Sequence, residues 1–412
     1  MLTGRIDFLQ YSTTLVALAA LSAISAFAQT SVAIDGYFDR GYASTNNTDN
    51  NKDAKAVASN AGTTTIGVKV REDLGNGLSV GGSVNTDWND LGGNKQNDTT
   101  GTAQRGGFAN SQNFLDVTSN QYGVLRLGTP NSFTLTNATA VASPAYSTGF
   151  GSSYSSSFSI ANGFGTGTTD KGGIVAASSE LMTTAATPLG YVGGSSTAAL
   201  TGPSTGQRSI RIANTVQYSS PVVLGGLTAH VGYTPKNDND TGAGKLNTVG
   251  AQEYALRYTN GPIDAMYTSM KYTVGSSTNF FMGGTTSTAY KDMTSTQNLL
   301  GVTYAVMPAL KLHAGLGQFK SSDDAKYKGA SRQFGATYTT GAWVLSAQTA
   351  RVDDQNSTLD YDRKLVGAGV DYNLSKTARV YFRYDNIDYA TNRAAFDGSK
   401  QTRYALGVSE SF

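Results

Sequence analysis

Cysteine is absent from the chain. Disulfides, thiolate nucleophiles and thiolate metal sites are therefore excluded. Histidine occurs only at His230 and His313, among 412 residues. Neither has a carboxylate beside it in sequence, so nothing supports a Ser–His hydrolase dyad. The expectation is a protein without catalytic residues, metal or cofactor. Charge is scarce as well: 15% of residues are charged and the net charge is +2. That balance lacks the basic surface of a nucleic-acid binder. Apolar residues make up 39%, below the soluble average of about 45–50%. After residue 28 no apolar run approaches the roughly 20 residues of a spanning helix. Any passage through a membrane must be made by strands.

What is abundant is glycine (48), tyrosine (23) and alternation. In the closing "RYALGVSESF", Tyr404, Leu406, Val408 and Phe412 share one parity, and Arg403, Ala405, Gly407, Ser409 and Ser411 the other. That is the period of a strand with one apolar face. "SVAIDGYFDRGY" sets Val32, Ile34 and Phe38 against Asp35, Tyr37 and Asp39. "TTIGVKVRED" sets Ile66, Val68 and Val70 against Lys69 and Arg71. Gly75-Asn76-Gly77 is a strong hairpin signal. Further turns are expected at Asn120-Gln121, Asn260-Gly261-Pro262, Met307-Pro308, Thr340-Gly341 and Leu374-Ser375. The count is about 16 strands near the 9–11 residues that a tilted membrane strand needs. Short turns alternate with long polar segments such as "ASTNNTDNNKDAKAVASNAG" and "KNDNDTGAGKLNTVGAQ". Backbone groups in lipid have to be satisfied within the sheet, so the sheet must close. The fold class is all-β: a transmembrane antiparallel barrel whose last strand pairs with the first, near Val32, with Phe412 in an interfacial aromatic girdle. Residues 1–28 read as a secretory signal, with an apolar stretch from Leu15 to Ile24 and cleavage after Ala26-Phe27-Ala28. The barrel would occupy residues 29–412, in the outer membrane of a Gram-negative bacterium.

The chain resembles the general porins of Gram-negative outer membranes, most closely the betaproteobacterial trimeric type. "SVAIDGYFDRGY" resembles the first strand of that family, and "GVKVREDLGNGLSVG" its second hairpin with Glu72-Asp73-Leu74-Gly75 in the turn. "YGVLRLGTP" resembles the strand before the pore-constricting loop, and "NTVQYSSP" the strand after it. Phe412 is similar to the closing aromatic of the family, which the barrel-assembly machinery is thought to read. The resemblance implies a homotrimer surrounded by lipid and lipopolysaccharide. It also implies passive diffusion of small hydrophilic solutes and ions, and a long third outer loop, residues 130–206, folded into the pore. That loop lacks an acidic Pro-Glu-Phe-Gly motif.

In such a barrel the chemistry is the field along a narrow aqueous passage. Parity assigns Lys69, Arg71, Arg126, Arg211, Arg257, Lys311, Arg379 and Arg383 to the water side, with Asp35, Asp39, Asp116, Asp371 and Asp385. Lys69, Arg126 and Arg211 would form a basic belt around mid-barrel and give a weak to moderate anion preference. Tyr146, Phe150, Tyr154 and Phe158 recur in a Ser/Gly background within the long loop. They either pack the loop on itself or form a stacking platform for a specific solute. A third reading is an adhesin or receptor barrel that acts through its outer loops.

Overall fold

The computed structural model describes residues 30–47, 52–58, 60–88, 109, 111–143, 214–235, 250–273, 294–321, 328–354, 363–389 and 400–412. The expected signal segment lies outside them, as do Arg211, Tyr146, Phe150, Tyr154 and Phe158.

Strands β1 (Thr30–Asn47), β2 (Lys52–Ala58), β3 (Thr64–Gly75), β4 (Leu78–Trp88), β5 (Asn113–Ser119) and β6 (Gly123–Thr129) lead into a short helix α1 (Phe133–Thr136). A wider helical turn, Asn137–Val141, continues α1. The sheet resumes with β7 (Thr215–Ser219), β8 (Leu227–Thr234), β9 (Gly250–Asn260), β10 (Ile263–Thr273), β11 (Thr294–Met307) and β12 (Leu310–Ser321). It ends with β13 (Lys328–Thr340), β14 (Trp343–Asp354), β15 (Arg363–Asn373), β16 (Ala378–Tyr389) and β17 (Lys400–Ser411). Each strand pairs antiparallel with the next, and β17 pairs with β1. Both β2 and β3 pair with the same edge of β1, β2 along its second half and β3 along its first. They are two stretches of one wall strand, so the closed barrel has 16 staves.

The expected turns sit where the sequence marks them. Asn76 adopts φ 52° between Gly75 (82°) and Gly77 (75°), the left-handed backbone that Asn and Gly tolerate. Glu72–Gly75, expected in that turn, still belong to β3; the ladder shifts only between Asp73 and Gly75.

Closure lies four residues further along β1 than expected. Val32 faces Val70 of β3 instead. Phe412 and Gly36 exchange backbone hydrogen bonds of 3.0 and 3.2 Å. The Phe412 ring stacks on Phe38 at 5.3 Å. A Cβ on Gly36 would lie 2.5 Å from Phe412 Cζ, so glycine leaves the space the ring fills. Phe412→Ala should remove about 1 kcal/mol of stacking plus the buried ring area. The expected result is a lower urea midpoint for loss of the compact, heat-modifiable band on electrophoresis. An unchanged midpoint would mean that the ring adds nothing to closure.

Alternation decides the two surfaces. Val32, Ile34, Leu125, Leu256, Phe334 and Leu406 are exposed on the outside. The opposite parity turns Asp39, Glu253, Gln333, Asp385 and Arg403 inward, where they are buried. The apolar core is small and lies inside the barrel. Leu135, Ala138 and Ala142 pack on Leu299, and Val141 packs on Ala255 and Met266 beside Phe133.

Candidate functional site

The site is the inner wall together with the chain that enters it after β6. Ser132 caps α1 by accepting from the Leu135 N–H at 2.9 Å. The Phe133 and Thr134 N–H groups donate across to the buried carboxylate of Glu253 on β9, at 3.0 and 2.6 Å. Thr134 Oγ1 adds a third bond to that carboxylate at 2.7 Å. One wall carboxylate thus satisfies two of the donors that a helix start leaves open.

The segment then runs over successive strands. Asn137 Nδ2 donates to the carbonyls of Met266 on β10 and Leu299 on β11, at 2.9 and 3.0 Å. Thr303 Oγ1 donates to the Val141 carbonyl at 2.6 Å. Gln333 Nε2 on β13 donates to the Ala142 carbonyl. Ser143 Oγ donates to Gln348 Oε1 on β14 at 2.6 Å. Gly301 of β11 lies beneath this segment; a Cβ there would collide with Asn137 Oδ1 and lie 3.0 Å from Ala142. Residues 132–143, the described start of the connection from β6 to β7, therefore lie in the barrel interior.

The charged residues of the wall come mostly in cross-strand pairs. Lys69 Nζ is 2.8 Å from Asp35. Arg126 is 3.2 Å from Asp116, and its guanidinium lies 4.0 Å from the Phe114 ring centroid. Arg257 makes two bonds to Asp264, at 2.9 and 2.7 Å. Arg383 grips both oxygens of Asp371, and Arg379 reaches the same carboxylate at 3.1 Å. Arg403 binds both oxygens of Asp385. Among the described residues Arg71 and Lys311 have no carboxylate partner; Arg71 Nη2 donates to Ser79 Oγ at 2.8 Å.

Which member of each pair meets the interior is uneven. Side-chain exposures are 54% for Lys69 against 40% for Asp35, and 32% for Arg126 against 21% for Asp116. They are 32% for Arg257 against 22% for Asp264, and 33% for Arg379 against 7% for Asp371. In these four pairs the carboxylate is the more covered member, whereas in the buried Arg383–Asp371 pair the order reverses, at 2% against 7%.

Not every inward charge faces open space. Asp39 is fully buried: it accepts from the Ala61 and Gly62 N–H groups at 2.7 and 3.0 Å and from Tyr381 Oη at 2.6 Å. It pins the bend between β2 and β3. Arg383, Asp371 and Asp385 are likewise buried in wall networks. The expected mid-height belt of Lys69, Arg126 and Arg211 includes Arg211, which lies outside the described residues. Arg71, Arg126, Arg257, Lys311 and Arg379 stand within about four residues of short turns, on the order of 13 Å along a strand. They ring the short-turn mouth. The sequence reading did not single out Glu253, Asp264 or Arg403. All three have inward parity, and that was their only signal.

His230 Nδ1 is 2.8 Å from Ser219 Oγ, with the Phe133 ring 4.6 Å away. Its Nε2 has no partner among the described residues, and no carboxylate orients the ring. The contact is a cross-strand hydrogen bond within the β7–β8 pair.

A family model described as "Gram-negative porin" matches residues 13–392. No curated protein matches the sequence. Among solved structures the chain is similar to an anion-selective porin from Comamonas acidovorans, at 20% identity and TM-score 0.66, over 93% of this chain and 100% of that one. It is also similar to OmpT of Vibrio cholerae, at 14% identity and TM-score 0.54, over 95% and 100%. The outer-membrane channel DcaP of Acinetobacter baumannii gives 14% identity and TM-score 0.56, over 93% and 98%. At such identities the likeness is one of fold.

Proposed function

The chain belongs to the Gram-negative porin family, and we propose that its outer-membrane channel, which passes small hydrophilic solutes by passive diffusion, prefers anions weakly to moderately. The observation that carries this reading is the uneven exposure of the wall pairs. In the four pairs or triads nearest open space, the cation is more exposed than its carboxylate. Arg71 and Lys311 add cations with no described carboxylate partner. Mobile ions therefore meet positive charge first, and the low-dielectric wall focuses that field. The Comamonas acidovorans structure is named for anion selectivity, but at 20% identity it lends this chain only the fold.

Within this reading the long connection after β6 narrows the passage, its first turn seated on Glu253. Residues 1–28 are the export signal. The barrel assembles as a trimer, and Phe412 presents the closing strand to the assembly machinery. A specific-solute channel remains the second reading, resting on the aromatic loop residues Tyr146, Phe150, Tyr154 and Phe158.

The test is the reversal potential across a planar bilayer in a salt gradient. The expected sign is that of an anion-preferring pore. Replacing Arg71, Arg126, Arg257 and Lys311 with glutamine should lower the preference, most at low salt, where the screening length grows to about 30 Å at 0.01 M. A cation preference in the unmodified protein would refute the reading.

A further inference from the structure

The cations at the short-turn mouth follow a repeat. From Arg126 the register runs through Gln217 and Gly232 to Glu253, and Arg257 lies four residues further toward its turn. From Arg257 it runs through Met266 and Gly301 to Gly315, and Lys311 again lies four residues further. From Lys311 it runs through Thr337, Ser346 and Gly369 to Arg383, and Arg379 lies four residues beyond. Three strands are about 14 Å across, and four residues are about 13 Å along a strand. That slope is about 43°, and about 35° for the four-strand step to Arg379, so it cancels the roughly 35–45° tilt of barrel strands. Arg126, Arg257, Lys311 and Arg379 therefore stand at one height, with backbones about 19 Å apart at each three-strand step. On β3, Arg71 shares the register row of Arg126, so the tilt sets it nearer the rim.

The segment seated on Glu253 lies on the outer side of this ring. Glu253 is four residues from Arg257, away from the turn, which is about 10 Å of height at that tilt. The described interior opens to the periplasm as a cation-lined vestibule, with the seated segment above it. Asp116, Asp264 and Asp371 are each less exposed than Arg126, Arg257 and Arg379 beside them, so an incoming anion meets the cations first. Neighbouring cations are too far apart for one small anion to touch two of them. A chain of negative charges can do so, and once one end is held the second contact forms at high effective concentration. Carboxylates suit both side chains, and Arg takes them in bidentate form.

We propose that the ring binds an extended acidic peptide chain, which enters from the periplasm, bridges neighbouring cations and blocks the passage. The proposal rests on the anion reading and names a ligand for the same charges.

The test records full-length channels in planar bilayers with triglutamate or hexaglutamate in one chamber. Three extended residues span at most about 11 Å and six about 20 Å, so only the longer peptide reaches two cations. The chain has no cysteine, so Gln121→Cys, in the turn between β5 and β6, marks the periplasmic side for an impermeant maleimide. From that side hexaglutamate should block at a concentration at least about tenfold lower than triglutamate. From the opposite side it should need at least about tenfold more, because the ring concentrates anions at the periplasmic mouth. In 1 M salt, where the screening length is about 3 Å, both differences should vanish. Arg257→Gln/Asp264→Asn removes one ring cation at unchanged net charge and should cut the advantage of the longer peptide by about threefold. Lys311→Gln should do the same without breaking an ion pair, which keeps the test open if the double variant does not fold. Equal block by both peptides, equal block from both sides, or an undiminished advantage in the variants would overturn the proposal. The reversal potential is read in the same channels without peptide. An anion preference with no chain-length effect refutes the binding site alone, whereas a cation preference refutes the reading on which it rests.

Discussion

Glu253→Ala is expected to raise single-channel conductance and to add conductance substates. The carboxylate holds the Phe133 and Thr134 N–H groups and Thr134 Oγ1. Hydrogen bonds to a charged group contribute about 1.5–3 kcal/mol each, and stranding buried donors costs a further amount. A net loss of about 3 kcal/mol would shift the ratio of seated to unseated segment by roughly two decades. Gly301→Val attacks the same contact from the opposite side, because any Cβ there meets Asn137. The two variants should therefore share a phenotype. Lys271→Gln, on the outer parity of β10, should leave conductance unchanged. If conductance stays the same in both Glu253→Ala and Gly301→Val, the seated segment does not set the cross-section of the passage.

The second large effect is expected at Asp371. Its carboxylate receives both Arg383 Nη groups and Arg379 Nη1. Arg383 is 2% exposed, and a Cβ on Gly369 would lie 2.8 Å from Arg383 Nη1, so the guanidinium lies flat against glycine. Removing one partner of a buried pair leaves an uncompensated charge, at a cost of about 3–5 kcal/mol. Asp371→Asn should lower the denaturant midpoint of the folded barrel by a margin of that order. Asp35→Asn should barely move it, because the Lys69–Asp35 pair is open to solvent and exposed pairs contribute about 0–1 kcal/mol. Equal shifts in the two variants would show that burial does not govern the strength of these pairs.

Much of the wall was legible beforehand, and the reason is periodicity. A strand in a barrel has two environments, and side chains alternate between them, so Val68 and Lys69 could be assigned from their neighbours alone. The turns were equally local: Asn76 between two glycines needs no tertiary partner to bend. The closure register was harder. Whether Phe412 meets Val32 or Gly36 depends on the stagger of the whole sheet, a sum over sixteen staves that no single segment carries. The parity rule also ranked Asp39 with Asp35, although one is sealed under Tyr381 and the other lies open.

By itself the sequence determined that this is a closed sheet with an apolar exterior and a polar interior, because both follow from a period of two and from the need to pair every backbone group in lipid. Only the tertiary structure decided which inward charges meet the channel space and which lie beneath another side chain. It also decided that Glu253, 120 residues from Phe133, anchors the chain entering the barrel. Exposure and long-range pairing are set by what lies across the barrel and not by what lies next in the chain.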